Sequence, residues 1–444
     1  MAFQQGLSGL NSSSKALDVI SHNVANASTV GFKAGRANFA DVYAASMGYT
    51  GASNMQIGMG SQVSAVVQQF TQSSLTVTNY PLDMAIDGNG FFRMQRTDGT
   101  IAYTRNGQFT LDKNGFVVND GGDKLTGFAA VGDGSDGIFE GATSTIQVDS
   151  SNMAPNATTS ATLGLNLDSN SVNPLDRTPP GQDINNFLSN VTIPPDSFNF
   201  THSIDVYDSL GNKSSMQLYF VRDQGGPPAP NTWQVFGRLS NDVMPDPADP
   251  SQSLGTPLEN MGTIAFTDQG IFDQAASTGH PFTFTRSAAE LNTGAAQLTY
   301  TVDLSNSSQW NASSSVTTAP RQDGYTTGKL QGFTVSKDGV LQGSYSNGLV
   351  RNIAQIALAD FSNPNGLVSL GGNLWAESYD SGQPIVGPAN SGSLGNVLSA
   401  RVEESNVDLT QELVNMIIQQ RNYQANAQSI RTQDQMMQTI VNLR

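Results

Sequence analysis

The chain opens and closes on the same spacing of apolar residues, and the stretch between follows a different rule. Phe3, Leu7, Leu10, Ser14, Leu17, Ser21 and Val24 succeed one another at alternating steps of four and three. Leu409, Leu413, Met416, Gln420, Tyr423, Ala427, Ile430, Asp434, Met437 and Val441 repeat the pattern at the other end. An apolar residue about every 3.5 positions holds one helix face against a partner, as in the a/d seam of a coiled coil. The spacing predicts helices over 3–24 and 409–443, about 33 and 52 Å long at about 1.5 Å per residue. Asn26, Ser28, Thr29 and Gly31 end the first, and Ser405 with Asp408 three residues on has capping-box spacing for the second. Complementary seams bring the termini together, but the shorter helix covers only part of the longer. The remaining seam must find other subunits. Ser14, Ser21, Gln420 and Asp434 interrupt the pattern, where polar residues cost stability and fix register.

From about residue 86 the apolar period changes to that of strands. Asp87-Gly88, Asp98-Gly99, Asn106-Gly107 and Asn114-Gly115 punctuate short runs such as 91–94 and 108–111. Asp-Gly and Asn-Gly supply the positive φ that tight hairpin turns need. The grammar returns after 325 with Asp338-Gly339 and Asn347-Gly348, and 109–115 (FTLDKNG) reads like 333–339 (FTVSKDG). Between lies a region with its own strands near 203–207, 216–221 and 233–238, and loops rich in Pro, Asp and Ser such as 245–250. Residues 31–85 show little periodicity. The predicted fold is α+β and multidomain: paired terminal α-helices form a coiled-coil stalk, with nested, mostly antiparallel β domains between them. The divisions are 1–30 with 401–444 for the helices, 31–85 as an extended connector, 86–150 with 319–400 as an inner β domain, and 151–318 as an inserted outer β domain.

Charge changes this picture little but narrows the partners. The net charge is −16, and 151–318 holds 15 acidic against 5 basic residues, a balance of −10. An acidic middle excludes a nucleic-acid partner, whose phosphates need clustered Lys and Arg. With no cysteine, disulfides, thiolate nucleophiles and zinc-thiolate sites are excluded. No apolar run reaches the roughly 18 residues that span a bilayer, so no membrane insertion is expected. The first 20 residues are amphipathic rather than a basic start and an apolar run, so no cleaved signal is expected. The three histidines, His22, His202 and His280, show no sign of converging. Asp246 with Asp249 means little in an acidic chain, and 133–137 (DGSDG) reads as a turn rather than a calcium loop. No phosphate loop or nucleophile elbow occurs. The expectation is no enzyme, no cofactor and no metal.

Three segments carry a family resemblance: 2–10 (AFQQGLSGL), 21–33 (SHNVANASTVGFK) and 405–444 throughout. They resemble the bacterial flagellar rod, hook and hook-junction family of axial proteins. Asn23, Ala25, Asn26, Thr29, Gly31, Phe32 and Lys33 match its Asn-[Val/Ile]-Ala-Asn-x-x-Thr-x-Gly-[Phe/Tyr]-Lys signature. Segments 86–94 (IDGNGFFRM) and 345–367 are similar to the hook members, and the inserted region favours these over the shorter rod proteins. A distal rod protein is the nearest alternative, and a secreted β-rich adhesin a more distant one.

The resemblance implies a structural subunit that leaves the cell through the type III export apparatus without a cleaved signal. It would assemble with itself outside the cell into the flagellar hook, a flexible curved tube transmitting torque from rod to filament in swimming. The implied neighbours are a distal rod protein, a hook cap protein and a hook–filament junction protein. Carried over by residue, Phe3, Leu7, Leu10, Leu17 and Val24 with Leu409, Leu413, Met416, Tyr423, Ile430, Met437 and Val441 would form the assembly seam of the inner tube. The turn from Asn23 to Lys33 would lead from that tube to the outer domains.

Overall fold

The computed structural model describes residues 2–42, 60–132, 134, 137–149, 151–188, 193–223, 231–239, 258–291 and 293–442. The turn at 133–137 falls largely outside these residues, and the loop at 245–250 lies wholly outside them. The fold is α+β with mostly antiparallel sheets. Its helices are α1 (Ala2–Ala25), the single turn α2 (Ala288–Leu291) and α3 (Leu409–Asn442). Helices α1 and α3 pack together, so the chain leaves and returns at one place. The start of α3 differs from the expected capping box. Asp408 itself is the cap, its Oδ1 accepting from Thr410 N–H at 2.9 Å and Gln411 N–H at 3.1 Å. A carboxylate there satisfies two orphan donors and faces the positive end of the helix dipole.

The chain divides into two compact units, 1–150 with 331–344 and 350–444, and 151–330 with 345–349. In the first unit the long strand Val350–Asp360 pairs with Val340–Tyr345, Lys124–Ala130, Phe91–Gln95 and Ile385–Pro388 within a twelve-stranded sheet. Phe91, Tyr103, Phe361 and Trp375 form an aromatic core over this sheet. Their rings meet edge to face, Tyr103 on Phe361 at 4.8 Å and Phe91 on Trp375 at 5.9 Å, the arrangement that ring quadrupoles favour. Gly35–Val42 and Gly60–Gln68 form a separate antiparallel hairpin that packs on α1. Regular strands therefore occupy part of the stretch in which the sequence shows little periodicity. Their exposure alternates only weakly, because a two-stranded ribbon has little core to face.

The turn signals divide by mechanism. The look-alike segments make the same turn: Gly115 N–H bonds Asp112 O and Gly339 N–H bonds Ser336 O, both at 3.0 Å. Each glycine has positive φ, +81° and +73°. Gly107 is different, with no positive φ. A Cβ there would lie 1.5 Å from the Met84 carbonyl oxygen, so close backbone approach is what requires glycine.

The second unit is built on two five-stranded sheets. One is a meander of Phe200–Tyr207, Lys213–Arg222, Thr232–Leu239, Glu259–Phe266 and Phe272–Thr278. The other centres on Ser160–Asp168, which pairs parallel with Leu298–Asp303 and Ser308–Trp310 and antiparallel with Ser315–Gln322. Phe220, Trp233, Phe282, Phe284 and Tyr300 fill the shared core.

Candidate assembly site

Helix α1 ends where its own motif turns the chain. Asn23, almost wholly buried, treats Gly35 as a strand partner: its Nδ2 donates to Gly35 O and its Oδ1 accepts from Gly35 N–H, both at 2.8 Å. Asn26 N–H bonds back to His22 O, and Thr29 Oγ1 donates to Asn26 Oδ1 at 3.2 Å. Ala25 is exposed at the last helical position. Gly31 has φ +71°, and a Cβ on it would meet Asn106 N at 2.6 Å. Phe32 packs its ring against His22 at 5.5 Å.

Lys33, the last residue of the motif, enters a buried charge cluster. Its Nζ donates to Glu403 Oε1 at 2.6 Å and to Thr71 O at 2.8 Å, with both charged side chains fully buried. Arg105 reaches Glu403 Oε2 at 3.4 Å and Gly88 O at 2.9 Å, and Ser73 N–H donates to Glu403 Oε1 at 2.9 Å. Burial pulls both the Lys33 ammonium and the Arg105 guanidinium down from their ordinary ranges, against the pull of Glu403. The backbone closes the same joint, with Gly31 N–H on Glu403 O at 2.8 Å and Ala34 N–H on Asn406 Oδ1 at 2.7 Å. The outgoing and returning chains are thus bolted together just before α3.

Beyond this joint the expected seam is only partly covered within one subunit. Phe3 and Leu7 stay 53% and 44% exposed, and Leu10, Leu17 and Val24 are half-buried. Leu409, Leu413, Tyr423 and Met437 are exposed, Met416 and Ile430 half-buried, and Val441 lies outside the described side chains. The covered stripe of α1 is Gly6, Gly9, Ser13, Ala16, Ile20 and Asn23. That of α3 includes Glu412, Asn415, Gln419, Asn426 and Gln433. On α1 the stripe lies one residue before the predicted seam, a rotation of about 100°, whereas on α3 the equally covered Met416, Ala427 and Ile430 are seam positions themselves.

Small residues let the backbones approach. A Cβ on Gly6 would lie 3.0 Å from Ile430 Cγ1, and one on Gly9 2.8 Å from Asn426 Nδ2. Among the seam residues, Ile430 is the one seen directly against α1 at these glycines. The signal for this face was present as Gly, Ser and Ala at steps of three and four. A search for apolar side chains reads those positions as gaps.

The histidines lie in separate settings. His22 packs on Phe32 in the first unit, whereas His280 sits between Phe272 and Phe282 in the second, its Nε2 accepting from Leu304 N–H at 3.0 Å. Among the described residues no group of acidic or histidine side chains could hold a metal, and no helix is long and apolar enough to cross a membrane.

Four family models match. They are the flagella basal body rod protein over 3–33, the flagellar hook protein FlgE/F/G D1 domain over 85–203, the flagellar basal body protein FlaE D2 domain over 166–325, and the flagellar basal body rod FlgEFG protein C-terminal region over 398–443. The chain is 38% identical to the flagellar hook protein FlgE of Salmonella typhimurium and 39% to that of Escherichia coli K12, covering 100% of both chains in each case. It is 30% identical to that of Borreliella burgdorferi, over 99% of this chain and 98% of the relative. Among solved structures, the Helicobacter pylori flagellar hook protein FlgE2 superposes with a TM-score of 0.50 at 17% identity, over 72% of this chain and 98% of the other, a likeness of fold.

Proposed function

The chain belongs to the flagellar hook protein family, and from that premise we propose that its terminal helices polymerise it into the curved hook tube. It is a structural subunit of the flagellum serving motility. The observation that carries the proposal is the unpartnered apolar face of α3. Leu409, Leu413, Val414, Ile417, Ile418, Met436 and Met437 are all exposed, while the half-buried positions of α3 are mostly polar. Exposed apolar side chains clustered within 409–418 mark a contact site for a partner. The coiled-coil stalk is then a property of the polymer, its seam closed between copies rather than within one. The motif turn and its buried charges fix the angle at which each subunit leaves the tube. The terminal helices, connector, inner β domain and outer β domain are the working parts of this subunit. The proposed neighbours are a distal rod protein, a hook cap protein, a hook–filament junction protein and the type III export apparatus that delivers the chain outside the cell.

A chain ending at Asp408 tests this. It should keep the β signal and cooperative melt of the full chain in circular dichroism, yet form no tubes under the electron microscope. Tubes from the truncated chain would overturn the proposal.

A further inference from the structure

A cleft of about 390 Å³ in the first unit lies between α1, the strand Gly35–Val42 and the start of α3. Val19, Ile20 and Phe39 give it an apolar floor, and Glu412 contributes the one carboxylate among its lining residues. The Glu412 Oε2 atom is buried and makes no hydrogen bond of good geometry, although the Asn23 side chain lies near enough to favour the charged form in part. A carboxylate oxygen taken from water without a donor is costly, and a fitting cation relieves that cost. Arg36 lines the same cleft, but makes no ion pair among the described residues. The other charged group near Glu412 is Asp408, of the same sign, one turn earlier.

Helix α3 carries the complementary group. Arg421 is exposed and makes no ion pair among the described residues. It lies nine positions after Glu412, which at about 100° per residue puts it about 180° round the helix and about 13 Å along it. The exposed Val414 and Ile417 share that outer face.

We propose that the cleft receives the outer face of α3 from a second copy of this chain, with Arg421 of the incoming helix pairing with Glu412. This rests on the self-assembly reading above and names the contact it uses. Val414 and Ile417 then cover Val19, Ile20 and Phe39, and the guanidinium supplies the donors that Oε2 lacks. Donor and acceptor sit on opposite faces of one helix, so each subunit offers one half of the contact forward and the other half backward. Such a heterologous contact does not close on itself as a two-fold dimer, and it propagates into a helical array wherever the rotation per subunit does not close a ring. Burial also pushes the Glu412 carboxyl up, partly offset by Asn23, so acid neutralises this group sooner than an exposed glutamate.

The test is a charge swap in the full-length chain, read as the concentration at which tubes appear by sedimentation and electron microscopy. E412R and R421E should each raise that concentration by about tenfold or more, as loss of a close interfacial charge pair does. The double variant E412R/R421E should recover to within about threefold of the parent, since the pair is rebuilt with its signs exchanged. Glu412 lies in the first turn of α3, so E412Q and R421Q serve as milder variants; both should assemble with weaker salt dependence than the parent. Singles that assemble like the parent, or a natively folded double variant that stays unassembled, overturn the pairing alone. A parent chain that forms no tubes overturns the self-assembly reading and the pairing with it.

Discussion

At the residue scale the joint between the outgoing and returning chains turns on Glu403. It stands fully buried between Lys33 at 2.6 Å and Arg105 at 3.4 Å, with no water-facing edge to relax into. Replacing a whole buried ion cluster with apolar residues is often harmless, but removing one partner strands the others. Glu403→Ala would leave two buried cations facing each other, and should cost about 3–5 kcal/mol, seen as a lower urea midpoint. The contrasting change is Lys15→Ala. Lys15 and Asp18 pair at 3.6 Å with side chains 70% and 65% exposed, so its loss should stay within about 0.5 kcal/mol. Equal effects of the two would contradict the reading of Glu403 as the bolt of the joint. The sequence makes Lys33 legible through its motif, but not its partner. Glu403 lies 370 residues away, in a stretch the sequence assigns only to the approach to the second helix. Pairing across that separation belongs to the tertiary fold, and no local rule of spacing contains it.

The element scale shows which part of a periodic signal can be trusted. Spacing placed the two helices almost to the residue, at Ala2–Ala25 and Leu409–Asn442, because period and capping are local properties. It did not say which face meets which helix, since a seam of apolar residues looks the same whether it closes within one chain or between copies. In one subunit the pairing runs over Gly6 and Gly9, with Ile430 of the seam packed on Gly6 and Phe3, Leu7, Leu409 and Leu413 left outward. Gly9→Leu separates the two accounts. At an exposed helical position the change should stabilise by about 1 kcal/mol through propensity. Here the added atoms meet Asn426, and overpacking costs typically about 1–3 kcal/mol. Gly9→Ala needs only a small shift of the Asn426 side chain and should be near neutral. The leucine variant should therefore loosen α1 from α3, measured as faster proteolysis at the termini with the β core intact. A leucine variant that protects the termini better than the parent would place the in-chain contact elsewhere.

At the scale of the whole molecule, a chain that begins and ends in paired helices must enter and leave every part between them. The second unit shows the consequence at its own mouth. Met153 and Gly328 form an antiparallel bridge, with N–H to O distances of 2.8 and 3.3 Å, and Asn156 pairs with Tyr325 just inside it. Its ends are thus stitched by its own backbone. Among the described residues its core also draws on its own side chains alone, from Leu163 and Leu165 through Trp233 to Tyr300. Both properties are those of a domain able to fold alone. The fragment 151–330 should then melt in a single cooperative calorimetric transition and keep the near-ultraviolet dichroism of its buried Trp233. What it lacks is the turn 345–349, which donates Ser346 N–H to Lys329 O at 2.8 Å and Asn347 Nδ2 to Thr326 O at 2.9 Å at that mouth, and whose Ser346 Oγ accepts from Lys329 N–H at 3.0 Å. Three such bonds are worth about 1.5–4.5 kcal/mol together, too little to decide whether a core of this size forms. A fragment that exposes its core and melts without cooperativity would mean that the unit needs the rest of the chain to fold.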